Sequence, residues 1–250
     1  MIMNTTLEHQ FNHRTIRKFK DTPLTTEQLE AIIHAASMTP TYTFLQAASI
    51  IGITDKTQQE KIAAICKQPY VAEAGYLFVI VADMNRNARI AEAKEVSLEN
   101  IDRADRFFAT FYDATLMTMN MATAAESMGL GYVLLGSINN DMQAMIDLLE
   151  LPPYTFPCLG LAVGIPDQSP TLKPRLPKEY IFMENKYQPI EKPLETLKEY
   201  DAIVHEYYDL RDTNNRVDTF TNQMAKCMTN VPPSRFNFLD VLHKQGLLKR

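Results

Sequence analysis

This 250-residue sequence predicts a mixed helix–strand domain built on a covered central sheet. Three observations carry that reading. Four apolar runs, at residues 46–54, 76–82, 131–136 and 156–165, are short enough to be strands and apolar enough to be buried on both faces. Segments with helical spacing lie between them. The composition, 46% hydrophobic and 22% charged, is that of an ordinary globular chain able to bury a substantial core. On alternation alone, the sheet would be parallel, with helices on both faces.

The elements follow in order. Thr25 and Gln28 form a capping box ahead of Leu29, Ile32, Ile33 and Ala36, which share one helical face. The run at 46–54 is β-branched and reads as a buried strand. Residues 55–66 open with a cap residue, Asp55, and carry Ile62, Ala63 and Ile65, which predicts a short helix. The second strand is 76–82. A long helix is predicted over about 98–128, closed by Gly129 as its C′ residue. Its later part is apolar on nearly every side, as in a helix buried in a large core or between subunits. The third strand is 131–136, a helix spans 140–150 before Pro152 and Pro153, and the fourth strand is 156–165. Prolines 166, 170, 174 and 177 then keep the chain extended. One more helix is expected at about 195–208. Residues 211–250 are polar and weakly periodic, too poor for a core of their own, so they are expected to wrap over the main domain or a partner subunit.

Charge excludes some classes. The formal net charge is −5, which disfavours a general nucleic-acid binder. The last forty residues nevertheless hold seven Lys/Arg against three acids. Cys66, Cys158 and Cys227 are an odd set without a CxxC, which points to a reducing compartment rather than a disulfide framework or zinc ribbon. The longest strongly apolar run is far too short for a membrane span, and the first ten residues are polar. A cytoplasmic protein with neither nucleic acid nor membrane as partner is expected.

Familiar catalytic motifs are missing. Gly129, Gly131 and Gly136 fit a dinucleotide fingerprint poorly and follow a helix instead of a strand. There is no GxxxxGK[ST], HExxH or GxSxG, and the five histidines are scattered, so no metal set is expected. Four segments do stand out. His13, Arg14, Thr15, Ile16, Arg17 and Lys18 form a cationic cluster anchored by Ile16 and Phe19, and arginine forks suit phosphate. In a helical turn, Arg14 would share a face with Arg17 and Lys18. In an extended segment, Arg14 and Ile16 would face one way and His13, Thr15 and Arg17 the other. Lys173 and Arg175 sit between prolines as a possible second cationic arm. Thr41, Thr43 and Gln46 lie in a loop entering a strand. Leu135, Gly136 and Ser137 form a turn where glycine lets backbone approach a ligand. Each alone is equally consistent with a solvated patch or an ordinary connector.

Taken in order, HRTIRKF, TxTFLQ, GLGYVLLGSINN, LKPRLP and YYDLRDTNNRVDTF resemble the flavin-dependent nitroreductase superfamily, in its NADPH-dependent flavin reductase and oxygen-insensitive nitroreductase branch. The resemblance implies an α+β, three-layer fold with a mostly antiparallel central sheet flanked by helices, in an intertwined homodimer. It implies a core over residues 1–175 and an extension over 176–250. FMN would be the cofactor and NADPH the co-substrate. His13, Arg14 and Thr15, with Lys173 and Arg175, would hold the FMN phosphate. Arg17 would lie near the pyrimidine edge, where a cation favours the charge that reduction creates. Gln68, Thr41, Thr43, Gln46, Leu135 and Ser137 would contact the flavin, and the Gly136 N–H would approach N5. Arg211 and Arg216 would bind the NADPH 2′-phosphate. No catalytic side chain is required, because the chemistry belongs to the flavin. Hydride would pass from NADPH through N5 to nitroaromatic, quinone, azo or flavin acceptors, with ping-pong kinetics. Close relatives are serine-rich where this chain has Thr41, Tyr42 and Thr43, have serine at Thr15 and glycine at Ser137. An FMN-binding redox sensor or flavin carrier with incidental turnover fits the same residues, whereas the cations His13, Arg14, Arg17, Lys173 and Arg175 argue against a structural dimer that has lost the cofactor.

Overall fold

The structure, a computed structural model, describes residues 2–209 and 218–250. It divides into two compact units, Met1–Pro170 with Pro233–Arg250, and Thr171–Pro232.

The first unit opens with α1 (Thr5–Phe11), whose Leu7 N–H is capped by the Asn4 side chain. Helix α2 (Thr26–Ser37) starts at the predicted capping box, with Thr25 and Gln28 exchanging both bonds. Strand β1 (Ala48–Ile53) leads to α3 (Lys56–Cys66), capped by Asp55. Strand β2 (Tyr76–Asp83) is followed by α4 (Asn85–Ala93) and the long α5 (Ala104–Ser127). Strand β3 (Gly131–Leu135), a 3₁₀ turn (Gly136–Asp141), α6 (Met142–Leu148) and β4 (Thr155–Gly164) complete the layers.

The sheet order is β1-β2-β4-β3 and every pairing is antiparallel, with Ala48 opposite Ala82, Tyr76 opposite Val163 and Gly131 opposite Gly164. The parallel sheet suggested by alternation is therefore wrong, and the antiparallel one implied by the resemblance is right. Alternation records which residues are buried; it does not record strand direction. Along β2, Leu77, Val79 and Val81 join a cluster with Ile62, Ile138 and Met145. Phe78, Ile80 and Ala82 join another with Ile32, Ala114 and Met121. Helices thus cover both faces, giving three layers. Each of the larger side chains, the Val, Leu, Ile, Phe and Met, contributes about 1.5–3 kcal/mol on burial.

Three expectations need correction. The run at 46–54 forms an edge strand whose interior is only half-buried, because β1 pairs on one side alone. Helix α5 starts at Ala104, not near 98, because the chain end clamps its entry. Ala104 N–H donates to the Arg250 carbonyl, and the Arg250 side chain binds Asp102. The helix expected over 140–150 begins at Met142, after the 3₁₀ turn. The described part of the polar segment, from 218 on, carries helices that its sequence did not place. It holds α9 (Phe220–Thr229) and α10 (Phe238–Lys244), which follow α7 (Pro193–Thr196) and α8 (Lys198–Asp209). From α10 and beyond, Val241, Leu242 and Leu247 enter the first unit's core.

At the other end of α5, Gly129 adopts φ +76°. Leu130 N–H reaches the Ala125 carbonyl and Gly129 N–H the Glu126 carbonyl, a Schellman closure. The second unit has its own small core of Tyr200, Val204 and Tyr208 with Leu176 and Phe220. Asp201 accepts from the Thr221 N–H and hydroxyl, joining α8 to α9. Among the described residues, no helix is long and apolar enough to cross a membrane.

Candidate active site

The cationic segment near the N-terminus is extended. Thr15 bridges Tyr132 of β3 in parallel, and Ile16 N–H donates to the Tyr132 carbonyl at 2.9 Å. Ile16 and Phe19 are buried, as their apolar character requires. Glycine at 131 makes room: a Cβ there would stand 2.5 Å from Ile16 Cγ1. The segment therefore runs along the β3 edge of the sheet, where backbone bonds and two apolar anchors fix its polar side chains.

His13 stacks on Tyr132 at 4.8 Å, and its Nδ1 lies 2.8 Å from Glu126 Oε1. Arg14 donates one bond to the Asn12 carbonyl. Its Nε is buried and has no partner among the described residues. A buried donor without an acceptor costs free energy, so this atom marks a place where an acceptor belongs. Lys18 instead pairs with Asp167 at 2.9 Å on the surface, a pair of little energetic weight.

Beyond β3 lies a second group. Leu135 is buried, and Gly136 opens the 3₁₀ turn. A methyl group added to Gly136 would meet nothing within 4 Å among the described residues, so the backbone borders open space there. The Ser137 hydroxyl donates to Gln68 Oε1 at 2.8 Å. Burial pushes the Cys66 thiol up, and a hydrogen bond with Ser137 partly opposes it. Burial likewise raises the Tyr70 hydroxyl, against the pull of the Arg17 guanidinium beside it. Arg17, Tyr70, Cys66, Ser137 and Gln68 are thus linked. Arg235, in the sequence only one of many basic residues in the tail, also reaches this end. It donates to Asn140 Oδ1 at 2.7 Å, Asn140 donates to the Cys66 carbonyl, and the Arg235 Nε is buried without a partner among the described residues. Its signal in the sequence is faint: an arginine just after Pro232 and Pro233.

The loop holding Thr41, Thr43 and Gln46 is strained. Thr43, Phe44 and Gln46 have φ of +45°, +61° and +48°. Asn87 donates to the Leu45 carbonyl, and Arg86 to those of Gln46 and Ala48. Two non-glycine neighbours in the left-handed region are uncommon, and such strain concentrates at functional sites.

Lys173 and Arg175 belong to the second unit. There, burial raises the Tyr200 hydroxyl, with the Arg175 charge opposing. Arg211 and Arg216 lie outside the described residues.

The chain is similar to known proteins over nearly its whole length. A sequence profile described as "Nitroreductase family" matches residues 11–165, and one described as "Nitroreductase family, C-terminal domain" matches 173–250. The chain is 40% identical over 243 residues to an NADPH-dependent oxidoreductase of Staphylococcus saprophyticus, covering 96% of both chains. Another of that description, from Staphylococcus aureus, is 38% identical over 251 residues, covering 97% of this chain and 99% of the relative. Among solved structures, the NfrA1 nitroreductase from B. subtilis superimposes with a TM-score of 0.92 at 34% identity, covering 98% of this chain and all of the other. An NADPH:FMN oxidoreductase from Vibrio harveyi, complexed with NAD+, does so with 0.88 at 32% identity, covering 99% and 100%.

Proposed function

Since the chain belongs to the nitroreductase family, we propose that it is an NADPH-dependent oxidoreductase working through bound FMN. The observation that carries this reading is the partnerless, buried Nε of Arg14, in a cationic segment held rigidly along β3. The residues fit the group. A phosphate would supply the acceptor that Arg14 lacks, and the open space at Gly136 leaves room for a flat ring. Bound FMN would supply two-electron hydride chemistry at its N5.

The chain's own residues bind and orient. His13, Arg14 and Thr15 hold the phosphate, and the family resemblance adds Lys173 and Arg175 to that role. Arg17, exposed, presents its guanidinium to favour negative charge at the pyrimidine edge. The Gly136 N–H serves N5. Gln68, whose carbonyl is engaged by Ser137, keeps its amide N–H groups for the ring. Leu135, Ser137, Thr41, Thr43 and Gln46 complete the contacts. Arg211 and Arg216 hold the 2′-phosphate of NADPH. NADPH and acceptor occupy one cleft in turn, which gives ping-pong kinetics, and the acceptors are nitroaromatics, quinones, azo compounds or flavin. The assembly is a homodimer whose extension, 176–250, wraps the core or the partner. Support comes from α5, where Phe108, Tyr112, Leu116 and Met119 form one stripe left 45–51% exposed. A monomer by light scattering would contradict it.

The test is an anaerobic visible spectrum of the FMN-reconstituted protein, titrated with NADPH and separately with NADH. Rapid bleaching by NADPH and weak bleaching by NADH is the expected result. Flavin that neither nucleotide bleaches would favour the sensor or carrier reading, and no bound flavin would refute both. Arg211→Ala should raise the KM for NADPH by about tenfold, the loss of one charged hydrogen bond, while leaving that for NADH unchanged. Equal effects on both would remove Arg211 from the 2′-phosphate site.

A further inference from the structure

One buried ionisable group has no part in the reading above. Asp113 lies in the middle of α5 and is 0% exposed. Aspartate is a poor residue for a helix interior, and a buried carboxylate needs partners. Its partners lie far off in sequence, at the two ends of the strained loop. Oδ1 accepts from the Tyr42 N–H at 2.7 Å, and Oδ2 from the Ala47 N–H at 2.9 Å. One side chain therefore closes the loop like a staple. Between these points lie the three residues of positive φ. Asn87 and Arg86 hold the loop's carbonyls; Asp113 holds N–H groups at either end.

We propose that Asp113 is a positioning residue, a two-pronged clamp that keeps Thr43, Phe44 and Gln46 in their left-handed conformation and so sets the placement of Thr41, Thr43 and Gln46 for the cofactor. The clamp itself rests on geometry alone; its consequence for FMN rests on the function proposed above. Left-handed backbone at Thr43, Phe44 and Gln46 opposes the conformation the free chain prefers. It persists because it is over-determined, and among the described residues the carboxylate ties both ends to a rigid helix. Tyr42 and Phe44 share this constraint. Phe44 is 83% exposed, so an aromatic ring is held out on a backbone that gives it little freedom.

The chain has no tryptophan, so Phe44→Trp introduces a single fluorescent reporter on the loop. Asp113→Asn is then added to it. The amide keeps one acceptor oxygen, so one of the two N–H groups, Tyr42 or Ala47, should exchange with deuterium about ten- to a hundredfold faster, while α5 stays protected. The anisotropy of the introduced indole should fall. In otherwise wild-type protein, Asp113→Asn should weaken FMN binding about tenfold, read by flavin fluorescence. In the unmodified protein, the Tyr42 and Ala47 amides should be as protected as those of α5, which tests the clamp even if no variant folds. Fast exchange there, or unchanged exchange and anisotropy in the Asn variant, would overturn the clamp. A freed loop with unaltered FMN affinity would overturn the positioning role and leave the flavin reading standing. If wild-type protein binds no FMN, the proposed function and the positioning role fail together, and amide exchange still decides the clamp.

Discussion

The two segments that build the candidate site, residues 13–19 and residues 41–47, are held in opposite ways. The first is an unstrained extended strip. It borrows a strand's backbone bonds through Thr15 and Ile16, and buries Ile16 and Phe19 as anchors. The second contains three non-glycine residues of positive φ and is fixed by Asp113, Arg86 and Asn87. The difference shows where rigidity comes from. A strip that lies in its preferred conformation needs only anchors, and anchors are visible as apolar residues between cations. A loop held outside its preferred conformation needs polar clamps from other elements, which no local pattern announces.

Four changes would break or sharpen this contrast. The largest effect is expected from Arg14→Ala with Arg175→Ala. Losing two charged bonds to one phosphate should lower FMN affinity by about two to four orders of magnitude, so the protein should elute colourless from gel filtration. Normal flavin content would refute a shared phosphate site. Next comes Ile16→Ala, which removes an anchor of the first strip. It should destabilise by about 2–4 kcal/mol in urea titration, and FMN affinity should fall with it. A loss of stability without any loss of affinity would mean that the strip does not depend on its anchor.

Gly131→Ala attacks the same anchor from beneath, since the new Cβ would crowd Ile16 Cγ1. The expected cost is about 1–3 kcal/mol, and a neutral result would show that β3 can shift to absorb it. The smallest effect is expected at the loop. Thr43→Gly relieves left-handed strain but frees the unfolded chain, so stability should change by less than about 1 kcal/mol. Its signature is instead in exchange: the Tyr42 and Ala47 amides should stay protected, because Asp113 still holds them. Loss of that protection would mean that the threonine, not the clamp, orders the loop.

Much of the fold was legible beforehand. The capping box at Thr25 and Gln28, the Asp55 cap, the closing Gly129 and all four strands stand close to where periodicity put them. Each depends on residues within a few positions of one another. The candidate site was legible in part. His13, Arg14, Thr15, Arg17, Gln68 and Ser137 could be named because cations between apolar anchors, and an ordered set of family motifs, mark them. Arg235 and Asp113 could not. One is a single basic residue in a basic tail, and the other an acid in the apolar middle of a helix, and neither pattern states a partner.

By itself, then, the sequence determined the four strands, the main helices between them and which cations lie among apolar anchors, because propensity, capping and burial act over a few residues. The tertiary structure decided the antiparallel order β1-β2-β4-β3, the edge position of β1, the start of α5 beneath the chain terminus, and the clamp on the 41–47 loop. Those features are made by hydrogen bonds between groups many tens of residues apart, such as Asp113 to Tyr42 and Arg250 to Asp102. A local pattern holds one partner of such a bond at a time, and only folding brings the second within reach.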